Sequence, residues 1–346
     1  MRAALLHSPG SLRVEDIPRP DCPSGGLLIR VEACSVCASD VKMWRAGHRD
    51  LAYPRMLGHE MVGTILESRS RKRSLRIGAR VQIWPGTACG TCPSCLKGHD
   101  NQCSSIGILG FNRDGGFAEY MAVPFECVAS HGVNLVPDTL PSDLASLTEP
   151  LACCVNAQEA LHVGRGDTVL VIGGGPLGAM HVMLSRSRGA SNVMVLEKDP
   201  HRCQMIRGSK PDQVIDSNDR EGYGKVAEAA SGKGVDVIIM ATPEAPVDSA
   251  LISLLAPRGR LSVFSGLRKE RSTSTIDLNQ VHYLERTVVG SYGCRSSDCR
   301  DALRLLSSGE VDAGWLITKR LPLDFIIEAL KYAESREGMK ATITGI

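Results

Sequence analysis

The sequence lacks three features that would assign it to a specialised class: an excess of one charge, many aromatic side chains, and a long apolar run. Forty Lys and Arg residues against 38 Asp and Glu residues give a formal net charge of +2, which does not favour a polyanionic partner such as nucleic acid. Aromatic residues make up 4% of the chain, so platforms of stacked rings for nucleic-acid bases are not expected either. No apolar run approaches the roughly 20 residues that span a bilayer.

The segment Met1–Gly10 also lacks the apolar core of a signal peptide, because its apolar run is only four residues long. We therefore expect a cytoplasmic protein with neither a membrane nor a nucleic acid as partner. The one strongly basic stretch, Ser68–Arg73, is interpreted as a solvated hairpin turn, with an anion-binding patch as the alternative.

Glycine and cysteine, in contrast, are plentiful, with 35 and 13 residues. A chain of 346 residues divides into roughly two domains of about 150 residues each, and 43% hydrophobic residues are enough for a real core. A protein held together by disulfides would be shorter and denser in cysteine. The cysteines are therefore expected to be reduced thiols, some of them used as metal ligands.

The two halves of the chain differ in pattern. Residues 1–150 combine Pro- and Gly-rich turns with short strand-like runs, which is typical of a β-rich domain with long loops. From about residue 155 to 292, apolar runs alternate with helix-like segments, which predicts a parallel, doubly wound sheet and an α/β fold class. The strands predicted there are Thr168–Ile172, Val193–Leu196, Val235–Met240, Leu261–Phe264 and Thr287–Gly290, and the helices are Pro176–Arg188 and Val247–Leu255. Two more helices are predicted at Ser297–Ser307 and Leu323–Ala333, before a β-like tail.

Four cysteines form the most specific motif of the sequence. They follow the spacing C-x2-C-x2-C-x7-C and are Cys89, Cys92, Cys95 and Cys103. Four thiolates at such spacing can surround one Zn²⁺ in a closed tetrahedral site, which leaves no position for substrate and so indicates a structural role. The alternative is four unrelated loop cysteines. His99 lies within the segment that carries these cysteines, here called the lobe (residues 89–103). The four thiols already complete the zinc shell, so His99 is not needed as a ligand.

A glycine-rich turn follows the predicted strand Thr168–Ile172 and opens a helix. Residues 173–178 read as G-x-G-x-x-G, which in this context predicts a dinucleotide-binding turn. The first glycine permits the tight turn, the second lets a pyrophosphate approach, and the third allows helix and strand to pack closely. The expected cofactor-binding residues of the turn are Gly173, Gly175, Pro176, Leu177 and Gly178, with the phosphates at the helix N-terminus.

Glu197 ends the next predicted strand and is expected to bind the adenosine ribose. A carboxylate there accepts hydrogen bonds from the ribose hydroxyls and repels a 2′-phosphate, which favours NAD over NADP. Arg202 and Lys198 lie close in sequence and weaken this preference, because a basic neighbour can hold a 2′-phosphate.

Cys37, His59 and Glu149 supply the ligand types of an open catalytic zinc site. Their spacing alone does not distinguish ligands from ordinary structural residues, and both interpretations stay open on this ground.

Taken with the other motifs, these residues resemble those of zinc-dependent medium-chain alcohol and polyol dehydrogenases. The matching stretches are Gly58-His59-Glu60, the four cysteines, the segment 115–120, Glu149-Pro150 and the glycine turn, in the order of that family. The resemblance implies a GroES-like β-rich catalytic domain of residues 1–155 and 293–346. Residues 156–292 would form an NAD-binding Rossmann domain.

The resemblance also implies roles for single residues. Cys37 and His59 are expected zinc ligands, and Glu149 matches a carboxylate of the sorbitol and threonine dehydrogenase branches. Glu60 lies behind the metal in the family and can exchange with water or substrate as a ligand. Ser39 matches a hydroxyl that passes the substrate proton outward, and Asp40 a carboxylate that orients the histidine ligand. Two zinc ions per chain are therefore expected, one catalytic and one structural.

One departure from the family concerns the proton path. Members of the family often have a histidine at the position of Lys42, where it ends the path by which the substrate proton leaves. The proton path beyond Ser39 is therefore undefined in this sequence. Lys42, Arg45, His48 and Arg49 also raise the hypothesis of an anionic substrate, with solvated loop residues as the alternative.

The function predicted from the resemblance is hydride transfer from a secondary alcohol, of polyol, sugar-alcohol or sugar-phosphate type, to NAD. A threonine-type amino-alcohol dehydrogenase is an alternative with the same site, and a non-catalytic zinc- and NAD-binding sensor is an alternative of another class. A small alcohol or ketone is the expected ligand. A homodimer or homotetramer is expected, because the strand Thr287–Gly290 would otherwise leave an exposed sheet edge.

Overall fold

The chain folds into two compact units. The computed structural model describes residues 1–218, 221–267, 270 and 272–346. The first unit combines Met1–Ala152 with Cys294–Ile346, and the second is Cys153–Gly293. The sequence placed these boundaries at 155/156 and 292/293.

The secondary structure of the described residues alternates short strands with helices of four to thirteen residues. The strands are β1 (Arg2–Ser8), β2 (Ser11–Asp16), β3 (Leu27–Ser35), β4 (Arg55–Met56), β5 (Glu60–Ser68), β6 (Arg80–Ile83), β7 (Gly86–Thr87), β8 (Gly107–Ile108), β9 (Tyr120–Val123), β10 (Val133–Leu135), β11 (Thr168–Ile172), β12 (Asn192–Glu197), β13 (Gln213–Asp216), β14 (Val235–Met240), β15 (Leu255–Val263), β16 (Thr287–Gly290), β17 (Ile317–Leu321) and β18 (Lys340–Thr344). The α-helices are α1 (Ala38–Ala46), α2 (Pro93–Leu96), α3 (Phe125–Ala129), α4 (Ser142–Ala145), α5 (Thr148–Ala160), α6 (Pro176–Ser187), α7 (Pro200–Met205), α8 (Gly222–Ala229), α9 (Ser249–Ser253), α10 (Leu278–His282), α11 (Ser296–Ser308) and α12 (Ile326–Ser335). Short 3₁₀ turns occupy Asp100–Gln102, Ile206–Ser209, Gly314–Leu316 and Leu323–Phe325.

The first unit is built around β3, which pairs with β5, β9 and β18 in a sheet of order β10-β6-β5-β3-β18-β17. Leu27, Ile29 and Val31 of β3 are buried in the core of this unit. The antiparallel register places Ser35, at the end of β3, opposite both Glu60 of β5 and Thr342 of β18. Three segments from distant parts of the sequence therefore meet where β3 ends.

The second unit is a six-stranded parallel sheet of order β13-β12-β11-β14-β15-β16. Numbered within the unit, this is the 3-2-1-4-5-6 order of the Rossmann fold. The predicted doubly wound α/β fold is confirmed, and β11, β14 and β16 have the predicted bounds. Strand β15 begins earlier than predicted, at Leu255, and α9 is correspondingly shorter than the predicted helix.

Among the described residues, every helix lacks the length or the apolar character needed to cross a bilayer.

His181 on α6 is fully buried in the second unit. Its ring packs edge-on against Phe264 with centroids 4.5 Å apart, and Gln158 Nε2 lies 3.3 Å from its Nδ1. Burial, with a smaller effect from the positive charge of Arg188, lowers the pKa of His181 to about 3. The folded protein therefore holds this ring neutral at pH values where the unfolded chain protonates it.

We expect His181 to make the protein sensitive to acid. The unfolded chain binds a proton near pH 6.5 and the folded chain does not, so stability is lost as the pH falls below 6.5. By pH 4.5 the loss from this group is about 3 kcal/mol in the free energy of unfolding. The free energy of unfolding, measured with urea, should change less between pH 7.0 and pH 4.5 in the His181→Leu variant than in the parent. The exposed His282→Leu is the matched control, and an unchanged pH dependence in His181→Leu contradicts the expectation.

Candidate active site and metal-binding lobe

Cys37, His59 and Glu60 form a compact cluster in the first unit. One ligand atom from each lies within 4.8 Å of the others. Cys37 follows β3 as the N-cap residue of α1, and His59 directly precedes β5. The close approach depends on Gly58, which has a φ of +91°, and a Cβ there would lie 2.8 Å from Cys34 Sγ. The residue before His59 is therefore restricted to glycine by both conformation and space.

Asp40 contacts both Cys37 and His59 of this cluster. Its carboxylate is fully buried, and one oxygen accepts a 2.9 Å hydrogen bond from the Cys37 backbone N–H. The other oxygen lies 3.3 Å from His59 Nδ1. Burial alone would lower the pKa of His59, but the adjacent Asp40 carboxylate and the Cys37 thiol outweigh it and raise that pKa well above its usual range. Nδ1 thus faces Asp40, and Nε2, 3.3 Å from Ser39 Oγ, is the nitrogen on the other side of the ring.

Lys340 of β18 is a member of this site that the sequence analysis missed. Its Nζ donates to Glu60 Oε1 at 2.5 Å, and the two side chains are 6% and 0% exposed. Burial lowers the pKa of Lys340, but the Glu60 carboxylate and then Cys37 outweigh it, so the pKa is raised. No sequence signal links residues 280 positions apart. The pairing of both β18 and β5 with β3 brings them together.

The donor set of the cluster fits a zinc ion. Thiol, imidazole and carboxylate are the ligand types of catalytic zinc sites, and a carboxylate beside the imidazole is the usual second-layer partner of such a ligand. Glu60 Oε2 is buried and has no hydrogen-bond partner among the described residues, so it remains available to a cation. Glu149 lies outside the three-residue group, although its charge contributes to the raised pKa of Lys340. Its role as a ligand stays a prediction.

The four lobe cysteines also converge. The sulfurs of Cys89, Cys92, Cys95 and Cys103 all lie within 4.8 Å of one another. Sulfurs around tetrahedral zinc are about 3.8 Å apart, as required by bonds of about 2.3 Å, so the lobe fits the ion. Hydrogen bonds from the backbone and side chain of Thr91 lower the pKa of Cys89 to about 5, and backbone donors lower the pKa of Cys92 to about 7. Thiolates are the form that binds metal, so these donors favour binding at neutral pH.

Asp100, within the lobe, joins it to the start of α11. The carboxylate accepts hydrogen bonds from the Ser296 backbone N–H at 3.2 and 3.3 Å and from Ser296 Oγ at 2.5 Å. A negative charge at a helix N-terminus is favourable, because the first N–H groups lack partners within the helix. The carbonyl of Cys294, two residues earlier, accepts a 2.9 Å hydrogen bond from the buried Trp84 indole. The lobe thus supports the segment that leads into α11.

We expect Cys92→Ser to destabilise the protein. Loss of one lobe ligand should lower the metal content from two ions per chain to one and reduce Tm by about 5–10 °C, as a loss of about 2–3 kcal/mol would. Calorimetry together with elemental analysis measures both effects. The control is Ser94→Ala, a lobe residue that carries no ligand atom. A metal content of two in Cys92→Ser contradicts the assignment.

The glycine turn lies between β11 and α6 in the second unit. Gly173 has a φ of +109°, Pro176 occupies the first turn of α6, and a Cβ on Gly178 would overlap the Gly173 carbonyl. These constraints match the turn and close-packing roles predicted for the first and third glycines. A Cβ on Gly175 would lie 2.6 Å from Arg202 Nη1, so this guanidinium extends over the turn.

Glu197 already makes several hydrogen bonds within the chain. One of its oxygens accepts from the Gly174 backbone N–H at 2.5 Å, and the other accepts from the backbone N–H groups of Lys198 and Asp199 at 2.8 and 2.9 Å. These bonds fix the carboxylate beside the glycine turn. The oxygen that accepts from Gly174 makes one hydrogen bond, so it retains a lone pair that a ribose hydroxyl can use.

The basic residues near Cys37 differ in their partners. Arg45 forms two hydrogen bonds to Glu334, at 2.9 and 2.6 Å, and stacks on Trp44. His48 and Arg49 lie 3.4 and 3.6 Å from the carboxylate of Asp50. Among the described residues, only Lys42 of the four has no acidic partner. These internal partners weaken the hypothesis of an anionic substrate.

Comparisons with known proteins identify the family. Residues 23–133 match the alcohol dehydrogenase GroES-like domain, and residues 176–308 match the zinc-binding dehydrogenase domain. D-altritol 5-dehydrogenase of Agrobacterium fabrum is 30% identical over 327 residues, covering 93% of each chain. The chain belongs to the zinc-type medium-chain alcohol dehydrogenase family, as the sequence resemblance predicted, and is an oxidoreductase of the alcohol dehydrogenase kind.

Two solved structures are similar over nearly the whole chain. An alcohol dehydrogenase of Escherichia coli CFT073, solved with NADH, has a TM-score of 0.88 and 26% identity and covers 99% of both chains. A zinc-binding dehydrogenase of Sinorhizobium meliloti 1021, solved with NADP, has a TM-score of 0.88 and 27% identity and covers 99% of this chain and 98% of its own. They support the GroES-like plus Rossmann fold, zinc, and a nicotinamide cofactor.

Proposed function

We propose that this protein oxidises a secondary alcohol of a neutral polyol or sugar alcohol, with transfer of the hydride to NAD and dependence on zinc. The observation that carries the proposal is the cluster of Cys37, His59 and Glu60 in a chain of the alcohol dehydrogenase family. The neutral substrate is favoured because Arg45 and Arg49 are already paired with acids.

The residues of the site have different proposed roles. Cys37, His59 and Glu60, with Glu149 as a further candidate, would hold Zn²⁺. The bound ion would lower the pKa of an alcohol hydroxyl toward neutrality. Ser39 Oγ lies beside His59 and would take the substrate proton outward. Asp40 fixes the histidine ring, and Lys340 keeps one oxygen of Glu60 engaged.

NAD is proposed as the cofactor because Glu197 fixes a negative charge beside the glycine turn. That charge would repel a ribose 2′-phosphate. Arg202 opposes this effect, since its guanidinium extends over Gly175. Similar chains have been solved with NADH and with NADP, so both cofactors are compared in the test of the proposal.

A reduction screen tests the proposal. The purified protein is assayed with NAD and with NADP against neutral polyols, sugar phosphates, sugar acids and β-hydroxy amino acids, with metal content measured in parallel. The expected result is two zinc ions per chain and the highest kcat/KM for a neutral polyol with NAD. A preference for β-hydroxy amino acids would replace the substrate with the threonine-type alternative. Cofactor binding without turnover of any alcohol would favour the sensor and overturn the proposal.

We also propose that the protein forms a homo-oligomer through β16. This strand pairs only with β15 in the described sheet, which leaves one edge unpaired. Val288 on it and Tyr283 before it are 41% and 76% exposed. An exposed apolar sheet edge is a liability that a second subunit removes. Sedimentation equilibrium should give a mass of at least twice the 37.1 kDa of one chain, and a monomer at micromolar concentration contradicts the proposal.

A further inference from the structure

The loop between β5 and β6, here called the basic loop (residues 69–77), is the most strongly charged surface segment of the first unit. Its first eight residues contain five cations, and no acid occurs between Ser68 and Ala79. Arg69, Arg71, Arg73 and Arg76 are exposed. Such a concentration stands out in a chain whose net charge is only +2.

The backbone of the basic loop is held in place by internal contacts. Leu75 is 4% exposed, and its N–H donates to the Lys72 carbonyl at 3.0 Å. The Arg69 N–H donates to the Gly26 carbonyl at 3.0 Å. Lys72 Nζ donates to the Val128 carbonyl at 2.5 Å, which fastens the loop to α3. The exposed arginines therefore project from a fixed surface.

These cations are not neutralised within the chain. None of the five basic side chains of the loop forms an ion pair with any described residue. The nearby acids have other partners: Glu67 pairs with Arg19, and Glu126 pairs with Arg113. The charge of the basic loop is thus left for an external anion.

Two apolar side chains accompany the charge. Ile77, next to Arg76, is 69% exposed, and Phe125, the first residue of α3, is 56% exposed. The Phe125 ring lies against Gly25. The next residue, Gly26, accepts the hydrogen bond from the Arg69 N–H of the basic loop. Cations with protruding apolar side chains suit a surface whose anionic headgroups cover an apolar interior.

We propose that the basic loop, together with Ile77 and Phe125, docks the protein on an anionic lipid bilayer. The arginines would contact headgroup phosphates and carboxylates, while the two apolar side chains would enter the boundary with the acyl chains. Nucleic acid is the less suitable partner, because one short loop offers no extended cationic track and no array of rings for stacking. The association is peripheral and reversible, since it uses a loop rather than a spanning segment. The proposal thus replaces the expectation from the sequence that no membrane is a partner, and it takes the anion-binding alternative for this basic stretch.

Vesicle sedimentation tests the proposal with the full chain. Vesicles of 70% phosphatidylcholine and 30% phosphatidylserine should bind the protein, and pure phosphatidylcholine vesicles should not. Raising NaCl from 100 to 500 mM should reduce binding, because the attraction is screened. The variant Arg71→Glu with Arg73→Glu should weaken binding at least about 30-fold, roughly fivefold for each cation removed.

The matched control reverses two exposed cations of the second unit that, like the loop arginines, form no ion pair with a described residue, Arg207→Glu with Lys233→Glu. Each substitution changes the charge by two, so both variants go from a net charge of +2 to −2. The control should keep its vesicle binding, and Ile77→Ser should weaken binding without changing the net charge. An equal loss in the control reduces the effect to net charge and overturns the proposal. Binding to RNA without binding to vesicles overturns it as well, in favour of a nucleic acid. Unchanged circular dichroism shows that each variant is folded.

Discussion

The Cys37→Ser variant is expected to lose alcohol oxidation almost entirely, with kcat lowered by at least about 1,000-fold. A neutral hydroxyl replaces the thiol that would bind the catalytic zinc, and the several kcal/mol that such an ion supplies to the reaction are lost with it. The fold should survive, because Cys37 lies at a helix N-cap next to β3 and not in the apolar core. His59→Ala should behave in the same way.

Steady-state kinetics and metal analysis of the same samples check this expectation. Metal content should fall from two ions per chain to one, with the lobe ion retained. Cys22→Ser is the matched control. Among the described residues, the hydrogen bonds of this buried cysteine go to backbone carbonyls at 3.7–3.8 Å, and a serine hydroxyl can donate to the same groups. A Cys37→Ser variant that keeps a tenth of the parent kcat would contradict the zinc mechanism.

The second large effect is expected at Lys340. Replacing it by methionine keeps the length of the side chain but leaves the buried Glu60 carboxylate without its partner. Removal of one member of a buried ion pair costs about 3–5 kcal/mol in the free energy of unfolding, because a charge stays buried without compensation. Lys340→Met should therefore destabilise the protein far more than a surface substitution does.

A double-mutant cycle isolates this interaction. Adding Glu60→Gln to Lys340→Met removes the uncompensated charge and should restore much of the lost stability, as measured by urea unfolding of all four proteins after their metal has been removed with a chelator, because Glu60 is itself a proposed metal ligand. Lys340→Arg keeps the charge and serves as the conservative variant. Additive losses from the two substitutions would show that the pair is not coupled.

The features that the sequence predicted well are those encoded by neighbouring residues. The four lobe cysteines lie within fifteen positions, and the glycine turn follows directly on β11, so local geometry already brings the groups together. The bounds of β11 and β14 were predicted correctly because continuous apolar runs indicate strands buried on both faces. The clustering of Cys37 with His59 was not evident from spacing, and it was expected only because of the family resemblance.

The features that the sequence could not provide depend on register over long distances. Lys340 meets Glu60 because β18 pairs with β3, and Asp100 meets Ser296 across nearly two hundred positions. Neither pair has a spacing or pattern that distinguishes it from other pairs of polar residues. The predicted helix Leu323–Ala333 was also imperfect, since residues 323–325 form a 3₁₀ turn before α12 begins.

The discontinuous first unit has a consequence for synthesis. The second unit is a continuous segment, so it leaves the ribosome whole, whereas the first unit stays incomplete until β17 and β18 have been made. Until then, β3 lacks its neighbour β18, and Glu60 lacks Lys340, the cation that pairs with it in the interior. The nascent protein should therefore gain its nucleotide-binding half early and close its zinc-binding half in a late step, in which sheet pairing and charge compensation occur together.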